Sequence, residues 1–405
     1  MSFVSNDLSG LASFQKIDWS YFEDCCAIIP TDNQVHFYDF HGTELYANTV
    51  PKKGRGSALS WSHLTNTLAI GWSDGSISLW SKGSVVQSQP VLESSVTLLL
   101  WHPSLPLLLS ASDSGIVCCW DYSGNNSILP LFRGSLPNTN FNFAQWVPRE
   151  SPFAFITTTD GVLYSFENIV QPLQEVGRFT TPIHALTSSI TRRLIAFHGD
   201  NELTQYTFPP GVSQNNQVKL PVGNPPCCTI ISNDVICYSI SESIYIWNIQ
   251  SDETHILRTP ESQKVTTLFF SSLTAELYAT TAEGSVISWR STMKGLVSRI
   301  GWSQPRVVDS GVRIEKAYWS NSSLAFISSC TGRRPLIFRS LPLASVISPE
   351  VTMWQPAPDL IMVAGQQPTK VSSYVERASA SGAYILVVTQ TGSTEIFTVR
   401  SGGLV

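Results

Sequence analysis

The sequence predicts an all-β protein built as a propeller. A seven-bladed ring spans residues 1–300, and the first blades of a second ring occupy residues 301–405. Three observations predict this. A motif recurs along the chain, with final aromatics at Tyr38, Trp80, Trp120, Phe166, Tyr206, Trp247 and Trp289, so the steps run from 40 to 46 residues. Two aromatics stand 19 residues apart in the clearest copies, as in Trp61 to Trp80 and Trp101 to Trp120. Hydrophobic residues are 42% of the chain and charged residues only 14%, against about 25% in an ordinary domain. Such a surface leans on Ser, Thr, Asn and Gln, which suits many turns and short strands.

Each repeat carries its own strand signals. Leu68-Ala-Ile and Leu107-Leu-Leu are short apolar runs, as expected of a strand covered on both faces. The next segment alternates, as in Ser76-Ile-Ser-Leu-Trp80. Asp74-Gly75 and Asp160-Gly161 lie between such runs and mark tight hairpins. The opening segment, Ser2 to Leu8, precedes the first copy and is expected to supply the outer strand of the seventh blade. After Trp289 the rhythm slackens: Trp319 leads to Phe338, and Tyr384 leads to Phe397. These late copies are assigned to the second ring.

The period is that of WD40 blades, with departures. There is no Gly-His dipeptide, only Trp120-Asp121 keeps the Trp-Asp ending, and the hydrogen-bonded His/Asp/Ser/Trp constellation of well-formed repeats is expected to be absent. Within such degenerate propellers the chain resembles the N-terminal region of the intraflagellar transport protein 140 family, of retrograde complex A. The residues are Ala58-Leu-Ser-Trp-Ser-His, Leu68-Ala-Ile-Gly-Trp72, Thr97-Leu-Leu-Leu-Trp-His-Pro, Leu203-Thr-Gln-Tyr206-Thr-Phe-Pro-Pro and Ile246-Trp-Asn-Ile249, in that order. The similarity is diffuse over residues 15–400. Family members continue into a complete second propeller and helical repeats, so the chain is expected to be a fragment, a truncated gene product or a short form.

The net charge of −5 makes no electrostatic case for nucleic acid or an anionic membrane. The start lacks a secretory signal, and no apolar run approaches the ~20 residues of a membrane helix. A cytoplasmic, reducing setting is therefore expected, with eight structural cysteines. Six are in adjacent pairs, whose side chains point to opposite faces of a strand and cannot share an ion.

No catalytic, metal or cofactor-binding residue is assigned. The histidines at 36, 41, 63, 102, 184, 198 and 255 are scattered, and His63 and His102 are read as equivalent repeat positions. Asp74, Asp113 and Asp160 are read as turn residues, and Asp18 likewise as no catalytic group. The candidate interaction site is the basic loop with Lys52, Lys53 and Arg55. Trp61, Trp80, Trp101, Trp120, Trp146, Trp247 and Trp289 are expected to be structural core.

A protein of this kind is expected to be a scaffold without enzymatic activity. The resemblance implies a complex A subunit acting in retrograde transport and cilium assembly, at the axoneme and basal body of the cilium or flagellum. Its partners would be other complex A subunits and ciliary membrane-protein cargo. The alternative is another trafficking or coat scaffold, or a ubiquitin-ligase substrate receptor.

Overall fold

The computed structural model describes residues 3–8, 11, 13–46, 50, 54–82, 84–87, 92–122, 128–137, 139–147, 152–166, 173–189, 193–198, 202–207, 213–219, 227–232, 235–248, 251, 253–271, 274–293, 300–310, 312–320, 325–330, 335–340, 374–378, 384–388, 394–400 and 403–404. Every sheet in it is antiparallel. Inner strands Phe14–Trp19, Gly56–Trp61, Val96–Trp101, Phe141–Trp146, Ile183–Ser189, Cys228–Ser232, Val265–Ser271 and Ile314–Trp319 open eight sheets in succession. Each pairs with a second strand, then a third, then an outer one.

The 19-residue spacing has a direct cause in this register. Trp61 stands opposite Leu68, and Leu68 stands opposite Trp80. Trp101, Leu108 and Trp120 repeat the arrangement, as do Trp146, Ala154 and Phe166, and Trp319, Phe326 and Phe338. Two hairpins thus bring two aromatics to the same face, with one apolar residue between them. The Trp61 and Trp80 rings meet edge to face, with centroids 6.0 Å apart, a favoured aromatic geometry.

The second strands Cys25–Pro30, Leu68–Trp72, Leu107–Ser112, Ala154–Thr158, Val235–Ile240 and Glu276–Thr281 are buried at every position. They are sandwiched between neighbouring sheets. The core is accordingly a series of slabs rather than one centre: Trp61, Leu68 and Trp80 pack with Cys25 and Phe37 of the preceding sheet, while Leu79 and Ala69 pack with Leu99, Trp101 and Trp120 of the next. Covering a Leu, Ile or Val contributes about 1.5–3 kcal/mol, so each slab holds two blades together.

Strand pairing counts eight sheets in the ring where seven were expected. Phe3–Asp7 pairs with Leu336–Ser340 of the eighth sheet, not with the seventh. The seventh already owns an outer strand, Arg306–Asp309, paired with Ser285–Ser288. Its third strand, Ser285–Met293, runs on into a second pairing with Ile300–Trp302. That inserted hairpin lengthens the step from Trp289 to Phe338, which is why the eighth repeat looked like part of another ring. Closure is seen from the side chains too. Leu8 and Leu11 are buried with Trp19, Cys26, Ile28 and Tyr38 of the first sheet and Ile327 and Ile337 of the eighth, and the Phe14 and Tyr318 rings lie 5.4 Å apart.

A ninth four-stranded sheet follows, with strands Tyr374–Ala378, Tyr384–Val388, Thr394–Arg400 and Gly403–Leu404 in chain order. No strand of the ring pairs with it among the described residues.

Candidate interaction surface

The repeated positions carry repeated polar bonds. The Trp101 indole donates to the Ser60 carbonyl at 3.0 Å, Trp146 to the Leu100 carbonyl at 2.9 Å, and Trp19 to the Tyr318 carbonyl at 3.0 Å. In each case a tryptophan closing one inner strand reaches the residue before the matching tryptophan of the preceding strand. The junction of the eighth sheet with the first therefore has the same bond as the junctions within the chain. Trp61, Trp80, Trp101, Trp120, Trp146 and Trp289 are at most 2% exposed and Trp247 is 8% exposed. Part of the expected missing constellation survives: the Trp120 indole of a third strand donates to Ser110 Oγ of the second at 2.7 Å. The preceding blade reverses the roles, with the Trp72 indole of its second strand donating to Ser78 Oγ of its third at 2.8 Å.

Asp18 was not distinguished in the sequence from the turn aspartates, and the structure separates it. It occupies the place of Ser60 and Leu100, one residue before the tryptophan. Its carboxylate accepts the Trp61 backbone N–H at 2.6 Å and the Trp19 N–H at 3.0 Å. Burial pushes its pKa up to about 7, against the pull of those two bonds. At this junction the Trp61 indole N–H is buried without a hydrogen-bond partner, so the carboxylate takes over the linking role. The aspartates at 74, 113 and 160 do lie in the hairpin turns, beside Gly75, Gly115 and Gly161, whose φ values of 82°, 86° and 88° call for glycine.

The turns after the inner strands share another device. Ser20 Oγ accepts the N–H groups of Phe22 and Glu23, and Ser62 Oγ those of Leu64 and Thr65. His102 Nδ1 does the same for Ser104 and Leu105, at 3.1 and 3.0 Å. His102 thus matches Ser62, and not His63 as the sequence reading had it. Burial, aided by His63, pushes the His102 pKa down to about 4. His63 instead packs against Tyr21, the rings tilted by 36° with centroids 4.0 Å apart. Its pKa is lowered by burial. His36 joins Glu44 at 2.7 Å and Asp32 at 3.3 Å.

The basic loop is only partly described: Lys52 and Lys53 lie outside the described residues. Arg55 is exposed, and its backbone is tied to the neighbouring hairpin. Ser73 N–H donates to the Arg55 carbonyl at 2.9 Å, and Arg55 N–H to Ser73 Oγ at 3.3 Å. The guanidinium therefore projects from a fixed base. Asn125-Asn-Ser127 and Asn321-Ser-Ser323 match the N-glycosylation triplet in sequence, and they too lie outside the described residues.

Cys25, Cys26, Cys118, Cys119 and Cys237 are free and buried. Burial raises each thiol, Cys25, Cys118 and Cys119 to about 12, which suits packing rather than nucleophilic chemistry. Among the described residues no three His, Cys, Asp or Glu side chains converge on a metal position, and no helix is long and apolar enough to cross a membrane.

Comparison with known proteins agrees with this architecture. Residues 17–104 match the profile of the Anaphase-promoting complex subunit 4 WD40 domain. Sqt1 of Saccharomyces cerevisiae superimposes with a TM-score of 0.61 at 12% identity, over 84% of this chain and 98% of that one. The C-terminal WD40 domain of Sif2 gives 0.61 at 13% identity, over 84% and 99%. The designed protein Ika8 gives 0.59 at 13% identity, over 82% and 98%. The fold is a WD40-type propeller. No curated protein matches the sequence. Domains of this type fit a protein-interaction scaffold.

Proposed function

We propose that this chain is a non-enzymatic scaffold of intraflagellar transport complex A, acting in retrograde transport and cilium assembly. The scaffold part rests on one observation: the polar groups that the fold brings together are spent on the ring itself. Asp18 links two sheets, His102 holds a turn, and the tryptophan indoles bridge blades. The complex A part rests on the ordered resemblance running from Ala58 to Ile249. In this reading the ninth sheet begins a second propeller, other complex A subunits and ciliary membrane-protein cargo are the partners, and the axoneme and basal body are the location.

A tagged chain in a flagellated cell tests this. Signal at the flagellar base and along the axoneme, with other complex A subunits in the pull-down, is the expected result. Diffuse cytosolic signal and a pull-down without them would overturn it. One observation favours a second reading, a propeller subunit of a ubiquitin ligase: the match of residues 17–104 to the anaphase-promoting complex profile. Recovery of ligase subunits in the same pull-down would select it.

A further inference from the structure

The turns that follow the inner strands of the first two sheets run side by side. Tyr21 of one packs against His63 of the other. Further along the same turns, the Asn66 amide donates to Glu23 Oε1 at 2.6 Å. Between these two ties stand Phe22, 46% exposed, and Leu64, 44% exposed. They hold the same place, two residues after Ser20 and Ser62, whose hydroxyls fix the turns. The third sheet shows that the turn itself needs no apolar residue there: two residues after His102 the counterpart is Ser104. Single exposed apolar residues are ordinary on a protein surface. Two at one turn position of adjacent sheets make a patch, the surface feature that marks interaction sites when polar groups rim it. Tyr46, 39% exposed, extends the patch, since its hydroxyl donates to Glu23 Oε2 at 3.3 Å.

The rim of this patch is acidic. The Cys25 thiol, raised first by burial, is raised further by Glu23, Asp24 and Asp39, so three carboxylates share one neighbourhood. Asp24, two residues past Phe22, is exposed. Against them, the Lys82 ammonium pairs with Glu23 at 3.3 Å. Burial lowers the His63 pKa, so its ring adds no offsetting charge at neutral pH. The patch also presents no strand edge. The backbone N–H groups of Phe22, Glu23, Leu64 and Thr65 are already taken by Ser20 and Ser62 Oγ. A ligand that satisfies its own backbone, as a helix does, suits such a surface better than an extended chain.

We propose that the turns of the first two sheets dock a basic amphipathic helix, its apolar stripe on Phe22, Leu64 and Tyr46 and its lysines or arginines toward Asp24 and the neighbouring carboxylates. Apolar residues at i, i+3 and i+4 give a helix one such stripe, and opposite charge at the rim orients it and rejects acidic competitors. The same carboxylates repel an anionic membrane. The proposal rests on the scaffold reading and specifies the chemistry of one partner segment.

The test is fluorescence anisotropy on the full chain, with a fluorescein-labelled leucine–lysine helix of about 18 residues, about five turns. Saturable binding is expected, weakening as salt is added. Phe22→Ser with Leu64→Ser should weaken it about tenfold or more, as loss of interface anchors does. Asp24→Lys should weaken it too and should raise affinity for a leucine–glutamate helix, a readout that a merely damaged turn does not give. Ile256→Ser, at a 50% exposed position on the strand Glu253–Arg258 of the sixth sheet, should leave binding unchanged. No binding to the unaltered chain, unchanged affinity in the double variant, or equal affinity for a scrambled peptide of the same composition would each overturn the proposal. So would a parent dimer in sedimentation that the double variant turns into a monomer, because a second copy of this chain would then cover the patch. The designed peptide reads the patch whatever complex the chain joins. If binding fails while the tagged chain keeps its partners in cells, the docking proposal falls and the scaffold reading stands.

Discussion

Two junctions of the ring solve one problem with different groups. Between the second and third sheets, the Trp101 indole reaches the Ser60 carbonyl at 3.0 Å, and the Ser60 hydroxyl accepts the Trp101 N–H at 3.4 Å. Between the first and second, the Trp61 indole has no hydrogen-bond partner, and the Asp18 carboxylate grips the Trp61 N–H at 2.6 Å. The neutral junction is indifferent to proton concentration. The carboxylate junction is not, because a buried acid resists ionisation. Position in the repeat dictates that a link exists; the residue found there dictates how the link responds to its surroundings.

The strongest way to break the neutral junction is Trp101→Ala. The side chain is 2% exposed, and its removal should cost about 3–5 kcal/mol, as large aromatic truncations in cores do. Denaturant unfolding measures this, and a cost below 1 kcal/mol would show that the slab between the sheets does not depend on it. Next in size is deletion of residues 1–10, which removes the partner of Leu336–Ser340 and the buried Leu8. The melting temperature should drop by several degrees; an unchanged melting curve would mean that the first strand does not close the ring.

Two smaller effects sharpen the contrast in charge. His102 titrates at about 4 in the fold instead of its ordinary 6.5. Folding therefore prefers the neutral ring, and stability from it is full above pH 6.5 and fades as pH falls toward 4. His102→Ser should keep the turn, since Ser20 and Ser62 hold the same turn elsewhere, and should flatten that acid loss. Asp18 runs the other way. Its pKa rises on folding from 3.8 to about 7, so its stabilisation is full below about pH 4 and wanes as pH climbs through 7. Asp18→Asn retains an acceptor without the charge and should gain stability relative to the parent above pH 7. Melting curves at pH 5 and pH 8 for both variants check the opposite signs; parallel shifts in the two would refute the assignment.

The aromatics and apolar runs were legible in the sequence because burial in a repeated sheet needs apolar bulk at fixed spacing. Trp61 and Trp80 mark their blade whether or not the surrounding bonds are known. The eighth blade was missed because the hairpin joining Ser291–Met293 to Ile300–Trp302 stretched the period. Asp18 looked like any polar residue in an inner strand, and its role depends on Trp61, which is far along the chain and close only in the fold. His102 was misaligned by one place, because histidine and serine can both accept two backbone N–H groups while looking unlike in sequence. The strand registers were hidden by the bulges, which shift the alternation of residues within a single strand.

The pairing of Phe3–Asp7 with Leu336–Ser340 also sets an order on assembly. The ring's own first strand has no partner until its mate near residue 340 is translated. Until then the growing protein is an arc with two raw ends, and each intermediate sheet has already met the neighbour before it. Completion is thus a single late event joining the oldest and youngest parts of the ring, and a ribosome that stops early releases a molecule that cannot shut.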